Sequence, residues 1–283
     1  MKKPWIGVIA FLLVLMTMPL GHAAMILMEK GLGDGYLFKA AAFLGAVGVV
    51  MMLAGIRIRR ELPATLLGFF GGLFTWTGWV EFAFVYYARR YGVEPLMANG
   101  EIVTKPEYLL MPASVGFLAT VLLLYLFRIK SACNFFLWFQ HHLRLERMVA
   151  LPQLPRSTAL ATFLETVTVL WFFFLTLLFV YDDTLAGDRH PLTYLVAFGS
   201  LLWSLYLMIQ LLKMTAFGYA IRYAIPTVII FWNVVEILGR WGTLSEIWVT
   251  PEKHWLEMLL MLVVLALLIP LVLMGKKRSS RLP

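Results

Sequence analysis

Charged residues are scarce in this chain of 283 residues. Asp, Glu, Lys and Arg make up 14% of the sequence and hydrophobic residues 61%, whereas about 25% of the residues of soluble globular domains are charged. No stretch outside the apolar runs is long enough to form a soluble core. The composition therefore excludes an ordinary soluble protein. It predicts a single all-α domain over residues 1–283, a polytopic helical bundle integral to the lipid bilayer.

Cysteine is almost absent, and so are the common motifs of soluble enzymes. Cys133 is the single cysteine, which excludes an intrachain disulfide and any multi-cysteine metal or redox site. The sequence contains no P-loop, no GxGxxG at a strand–helix junction and no HExxH. Haem is not expected either, because two histidines facing each other in the middle of the membrane are lacking and His141 and His142 are adjacent.

Apolar runs of about 20 residues, the length that crosses a bilayer as a helix, dominate what is there. Eight such runs predict about eight transmembrane helices. They are approximately Trp5–Met28, Tyr36–Ile56, Ala64–Tyr87, Tyr108–Phe127, Thr158–Tyr181, Pro191–Leu212, Tyr219–Leu238 and Trp255–Met274.

The net charge of +8 is distributed unevenly over the predicted loops. If the N-terminus is cytoplasmic, the cytoplasmic segments hold 16 of the 24 basic residues and only two acidic ones, Glu61 and Glu146. This distribution satisfies the positive-inside rule. It predicts cytoplasmic N- and C-termini in a multi-pass protein of a bacterial-type inner membrane. Since topology explains the positive charge, no nucleic-acid partner is expected.

The first span permits two interpretations. Residues 1–23 begin with Lys2 and Lys3, continue with an apolar run and end near small residues, as a cleaved secretory signal does. However, the apolar character continues to Met28, which is too long for the apolar core of a signal peptide. A retained helix is the preferred interpretation, and cleavage would leave the orientation of the other spans unchanged.

Two connecting segments are predicted to lie at the membrane surface. Residues 129–156 mix aromatic and leucine side chains with basic ones, which is typical of a cytoplasmic interfacial amphipathic helix beside anionic headgroups. The outer loop Thr243–Lys253 contains Trp248 and is expected to be interfacial too.

Four glutamates within the apolar runs are the main candidates for function: Glu81, Glu165, Glu236 and Glu257. A carboxylate inside a bilayer costs several kcal/mol unless it is protonated, paired or wetted, so such residues usually mark function. At 1.5 Å per residue, Glu81 and Glu236 lie about 25 Å from the cytoplasmic end of their spans. Glu257 begins the last span at the same outer level.

These depths predict an outward-facing polar pocket formed by Glu81, Glu236, His254 and Glu257, with His22 as a wall. Glu165 lies about 12 Å from the cytoplasmic boundary, where it could be an inner station for a proton or ion.

Each acid also has a purely structural interpretation. Glu236 could form an intrahelical ion pair with Arg240, and Glu257 could pair with His254. Glu165 shares a stripe with Thr158, Thr162 and Thr166 and could be hydrogen-bonded between helices. For Glu81 the sequence offers no local cation, which leaves a partner on another helix or a protonated carboxyl.

A divalent metal site is a further hypothesis. His254 and Glu257 have the i, i+3 spacing that carboxylate-bridged metal sites use on bundle helices. Glu81, His22 and His190 could complete a set of nitrogen and oxygen ligands suited to Zn, Mn or Fe. A single H-x-x-E pair is a weak signal, since a di-metal site would contain two.

Small residues predict how the third span packs. Gly68 and Gly72, with Gly71 and Thr75 beside them, allow close approach of a neighbouring helix. Gly45 and Gly48 in the second span are the expected counterpart.

Three functions are compatible with these features. The preferred one is a proton- or cation-coupled carrier of a small solute. The alternatives are a membrane metalloenzyme with a Glu/His metal site at the outer face, and a non-catalytic assembly or anchoring subunit that binds another membrane protein. No motif is specific to any one family.

Overall fold

A computed structural model describes residues 3–98, 101–128, 140–143 and 157–279. Almost all of this part of the chain is helical. The α-helices are α1 (Trp5–Gly31), α2 (Asp34–Ile56), α3 (Glu61–Thr75), α4 (Phe82–Tyr91), α5 (Pro106–Leu110), α6 (Val115–Arg128), α7 (Thr158–Tyr181), α8 (Pro191–Leu211), α9 (Phe217–Arg240) and α10 (Trp255–Ser279). A π-helix (Trp76–Glu81) joins α3 to α4, and a 3₁₀ turn (Met111–Ser114) joins α5 to α6.

The predicted membrane bundle is confirmed. Within the described residues, seven helices are long and apolar enough to cross a membrane. They correspond to seven of the eight predicted spans. The remaining span, Ala64–Tyr87, lies in the helical run from α3 through the π-helix to α4, where the break leaves neither α-helical piece long enough by itself. The chain is a multi-pass membrane protein.

Helix α9 is the axis of the bundle. Within its most apolar 18-residue window, 72% of the residues are buried, compared with 17% in α10. It packs against α1, α3, α7 and α8. A helix that contacts protein on every side must satisfy its polar side chains from its neighbours. The polar residues of α9 therefore show where the interior of the bundle is polar.

Glycines bring α3 against two neighbours, of which the sequence predicts only α2. A Cβ added at Gly68 would lie 2.4 Å from the carbonyl oxygen of Ala159 on α7, and one at Gly48 of α2 would lie 2.5 Å from the carbonyl oxygen of Gly71. Such distances are too short for a real Cβ, so these contacts require glycine.

The π-helix is anchored to α2. Gly78 lies against the backbone of Ala41 and Gly45, and the Trp79 indole donates a hydrogen bond to the Ala42 carbonyl over 3.0 Å. Mid-helix π-turns are rare and occur frequently at functional sites. This one ends at Glu81.

The structure describes most of the connection between α4 and α5, but little of the segment between α6 and α7. The outer connection after α4 contains an antiparallel hairpin of β1 (Leu96–Ala98) and β2 (Glu101–Thr104). The predicted interfacial segment 129–156 lies outside the described residues except for 140–143.

Candidate functional site: two polar clusters in the bundle

His22 and Glu236 meet at the interface of α1 and α9. Nε2 of the imidazole lies 3.7 Å from the Glu236 carboxylate, and Nδ1 lies 3.1 Å from the Met18 carbonyl oxygen. The Trp232 indole donates a hydrogen bond to Glu236 over 2.6 Å and stacks on the His22 ring at 6.0 Å. Glu236 thus has an indole donor on its own helix and an imidazole on another.

Glu81 occupies a similar environment on the π-helix. The Trp76 indole donates a hydrogen bond to the Glu81 carboxylate over 3.0 Å, and His22 and Lys105 lie within electrostatic range. The two glutamates therefore share one imidazole as neighbour, and each accepts a hydrogen bond from a tryptophan four or five residues earlier in its own helical run.

Tyr108, in α5, lies near the two carboxylates. It is half-buried and lies within electrostatic range of Glu81, Glu236, Glu107 and Glu29. We call His22, Trp76, Glu81, Tyr108, Trp232 and Glu236 the outer cluster, because the charge distribution predicts that this end of the bundle faces outward.

Acidic and basic residues surround the outer cluster. Lys105 lies 3.3 Å from Glu29 and 3.8 Å from the buried Glu107, and Lys30 forms an ion pair with Glu252. Sequence reasoning did not identify Tyr108, Lys105, Glu107 or Glu29 as site residues, because they lie at span ends where polar residues are common. The one usable signal was their position at the same level as Glu81.

The loop after α9, which is predicted to be interfacial, closes over this cluster. Trp248 is buried, with 7% of its surface exposed, and its ring packs on Trp232 at 4.8 Å. Glu246 packs against Gly239. Burial raises the pKa of the Glu246 carboxyl, the negative charge of Glu236 raises it further, and His22 opposes the shift.

His254 and Glu257 lie apart from the outer cluster. Nδ1 of His254 is 3.4 Å from the Glu257 carboxylate, and both side chains are substantially exposed. Among the described residues, no hydrogen bond or ion pair connects this pair to Glu81 or Glu236. The alternative that Glu257 pairs with His254 is confirmed. The structure does not bring this pair into the expected pocket.

The expected metal ligands do not converge. In the part of the chain that the structure describes, no three His, Cys, Asp or Glu side chains are close enough together to hold a metal ion. His190 caps the N-terminus of α8, where its Nδ1 accepts a hydrogen bond from the Leu192 amide over 3.2 Å. The described residues therefore bring together no ligand set for a divalent metal.

Arg240, at the end of α9, binds the loop that precedes α8. Its guanidinium forms an ion pair with Asp188 and lies 4.3 Å from the centre of the Tyr181 ring. Asp182, in the same loop, accepts hydrogen bonds from the amide and hydroxyl of Thr184, which lower the pKa of its carboxyl. These contacts order the loop before α8.

Glu165, Arg222 and Glu61 form a second group, which we call the inner cluster. Glu165 on α7 is buried, with 6% of its surface exposed, and shares a cavity with Arg222 on α9. Nη2 of Arg222 donates a hydrogen bond to Glu61, at the start of α3, over 2.6 Å. The sequence does not predict the Glu61–Arg222 ion pair, because charged residues near the cytoplasmic ends of spans indicate only topology.

Comparisons with models of protein families, with curated proteins and with solved structures find no match for the chain.

Proposed function

We propose that this multi-pass membrane protein is a proton-coupled carrier of a small solute, with the outer cluster and Glu165 as its two proton-binding stations. The single observation that carries the proposal is the placement of carboxylates in the bundle interior at two levels. Intramembrane acids of this kind occur typically along proton and ion pathways.

The outer cluster has the groups that a proton station needs. Glu81 and Glu236 can each take up a proton, and the His22 imidazole is near both. The indoles of Trp76 and Trp232 hold the carboxylates in place and cannot take up a proton from them.

Helix α9 links the two levels. It carries Glu236 at the outer cluster and Arg222 at the inner one, 14 positions apart, which corresponds to about 21 Å along a helix. Pro226 lies between them and lines the inner cavity. A proline inside a helix removes a backbone hydrogen bond and favours a kink, so α9 has a point at which its two halves can move relative to each other.

An assembly or anchoring subunit is the second candidate. It is favoured by the exposed apolar surface of α10, which could contact another membrane protein as well as lipid. This function would not explain why Glu81 and Glu236 share His22 inside the bundle. The metalloenzyme alternative has no supporting geometry in the part of the chain that the structure describes.

The proposal is tested in proteoliposomes that contain a pH-sensitive dye. An inside-negative potassium diffusion potential is imposed, and amino acids, carboxylates, sugars, polyamines and inorganic cations are added outside, one class at a time. We expect one class to acidify the interior faster than in protein-free liposomes. If every class behaves as in the protein-free control, the carrier function is wrong and the subunit function is preferred.

A further inference from the structure

The inner cavity lies between α7 and α9. It is lined by Thr162, Glu165, Val169, Arg222, Ile225 and Pro226. The centre of a water-sized sphere can occupy about 10 Å³ within it, which is about the space that one bound water molecule requires.

Arg222 presents an unsatisfied donor at this cavity. Its Nη2 is bonded to Glu61, but its Nε is buried and has no hydrogen-bond partner among the described residues. An arginine side chain remains charged in proteins, and a buried charged donor without an acceptor costs more than the 1–3 kcal/mol or so of a neutral one. Buried polar groups are therefore nearly always bonded to protein or to ordered water.

The other side of the cavity offers acceptors. Glu165 is buried and presents carboxylate oxygens. The Thr162 hydroxyl donates its hydrogen to the Thr158 carbonyl over 2.8 Å, which leaves its oxygen able to accept. A buried water typically needs two to four polar partners, and Arg222, Glu165 and Thr162 supply one donor and two acceptors.

Helix α3, which carries Glu61, also has a buried polar group without a described hydrogen-bond partner. Thr65 is fully buried, and its hydroxyl has no hydrogen-bond partner among the described residues. It lies four positions after Glu61, so both residues are on the same face of α3. The region around the Glu61–Arg222 pair thus has more polar groups than the described side chains satisfy.

We propose that one water molecule is bound in this cavity, accepts a hydrogen bond from Nε of Arg222 and donates one to Glu165. Arg222 is then a positioning residue for the water. Only the role of the water depends on the proposed function: in a proton carrier, its hydrogen bond stabilises the Glu165 carboxylate after that group has released its proton.

X-ray hydroxyl-radical footprinting tests the site, because radiolysis of a bound water oxidises side chains beside it. Ile225 lines the cavity and is only 4% exposed, while Ile230 on the same helix is fully buried outside it. We expect oxidation of Ile225 and protection of Ile230. If Ile225 is as protected as Ile230, no water is bound there and the proposal is overturned.

Two variants test whether the water requires the Nε donor of Arg222 and the volume of the inner cavity. Arg222→Lys keeps the positive charge beside Glu61 but lacks the Nε donor, and Val169→Ile fills part of the cavity without touching the ion pair. Both variants should lose the bound water, so Ile225 should be protected from oxidation in each of them. Unchanged oxidation of Ile225 in a folded Arg222→Lys protein would overturn the role of Arg222, and Val169→Ile decides the question if that variant does not fold. Because footprinting requires no transport, a bound water in a protein that moves no protons would refute only the proposed function.

Discussion

The His22 imidazole of α1 and the Glu236 carboxylate of α9 lie 3.7 Å apart, and the indole of Trp232 contacts both. The sequence separates His22 and Glu236 by more than 200 positions. Their contact connects the outer ends of α1 and α9 and places a titratable ring beside a carboxylate. Glu81 is in electrostatic range of the same imidazole, so one histidine connects two intramembrane acids.

Replacing Trp232 with Phe should destabilise the bundle. The change removes the hydrogen bond that the indole N–H donates to the Glu236 carboxylate. A hydrogen bond to a charged group contributes about 1.5–3 kcal/mol to stability. The measurement is the free energy of unfolding in mixed micelles. Trp255→Phe, at a tryptophan that is 63% exposed, is the matched control and should have little effect. Equal losses in the two variants would show that the hydrogen bond does not contribute.

Adding a methyl group at Gly68 should separate α3 from α7. The new Cβ would lie 2.4 Å from the Ala159 carbonyl oxygen, and overpacking of this kind costs about 1–3 kcal/mol. Gly199→Ala is the control, because nothing lies within 4 Å of a Cβ added there. Both variants are compared by unfolding in mixed micelles. If Gly68→Ala is as stable as Gly199→Ala, the close packing of α3 and α7 is incorrect.

The sequence predicted the features that depend on local composition. Span lengths follow from apolar runs, and the contact of Gly48 with Gly71 follows from small residues at helical spacing. The counted depth of Glu81 predicts that it lies near Glu236, and both have His22 as a neighbour. Its other surroundings could not be predicted, because the π-helix changes which side chains face inward and no residue pattern predicts that turn.

Contacts between distant elements account for most of what the sequence did not reveal. The Glu61–Arg222 ion pair depends on how α3 and α9 are rotated about their axes. The burial of Trp248 depends on a loop that folds back onto Trp232. Conversely, residue counting predicts His254 and Glu257 at the level of Glu81, but level alone does not determine which face of α10 meets the bundle.

Glu246 should make the stability of the protein depend on pH. Burial and the charge of Glu236 raise the pKa of its carboxyl above the ordinary 4.5, so the folded state binds a proton more tightly than the unfolded state does. The contribution of Glu246 to stability is therefore fully present below pH 4.5 and is lost as the pH rises through the raised pKa.

The Glu246→Gln variant should consequently be more stable than the wild-type protein at neutral pH, with no such advantage in acid. Unfolding midpoints measured across this pH range check the prediction. Glu94→Gln, at an exposed glutamate, controls for the removal of one negative charge. A Glu246→Gln variant that is less stable at neutral pH would contradict the expected sign.

The orientation of the bundle can be checked independently of any activity. Reporter fusions after Gly187, in the loop between α7 and α8, should be external, and fusions at Pro283 should be internal. The reason is the excess of basic residues in the segments assigned to the cytoplasm. An external reporter at Pro283 would invert the assignment of the outer and inner clusters.

Internal acidification by the Glu81→Gln variant in proteoliposomes is the most direct test of the account. The measurement uses the solute class that drives proton entry through the wild-type protein. Glutamine has nearly the same size as a protonated glutamate but cannot exchange a proton, so the rate should fall to that of protein-free liposomes while unfolding in mixed micelles is unchanged. Glu257→Gln, at a carboxylate that pairs with His254 outside the outer cluster, should acidify as the wild type does. The assignment of Glu81 as the outer proton-binding residue would be contradicted if the Glu81→Gln variant acidified the interior at the wild-type rate. It would also be contradicted if both variants lost the same share of that rate.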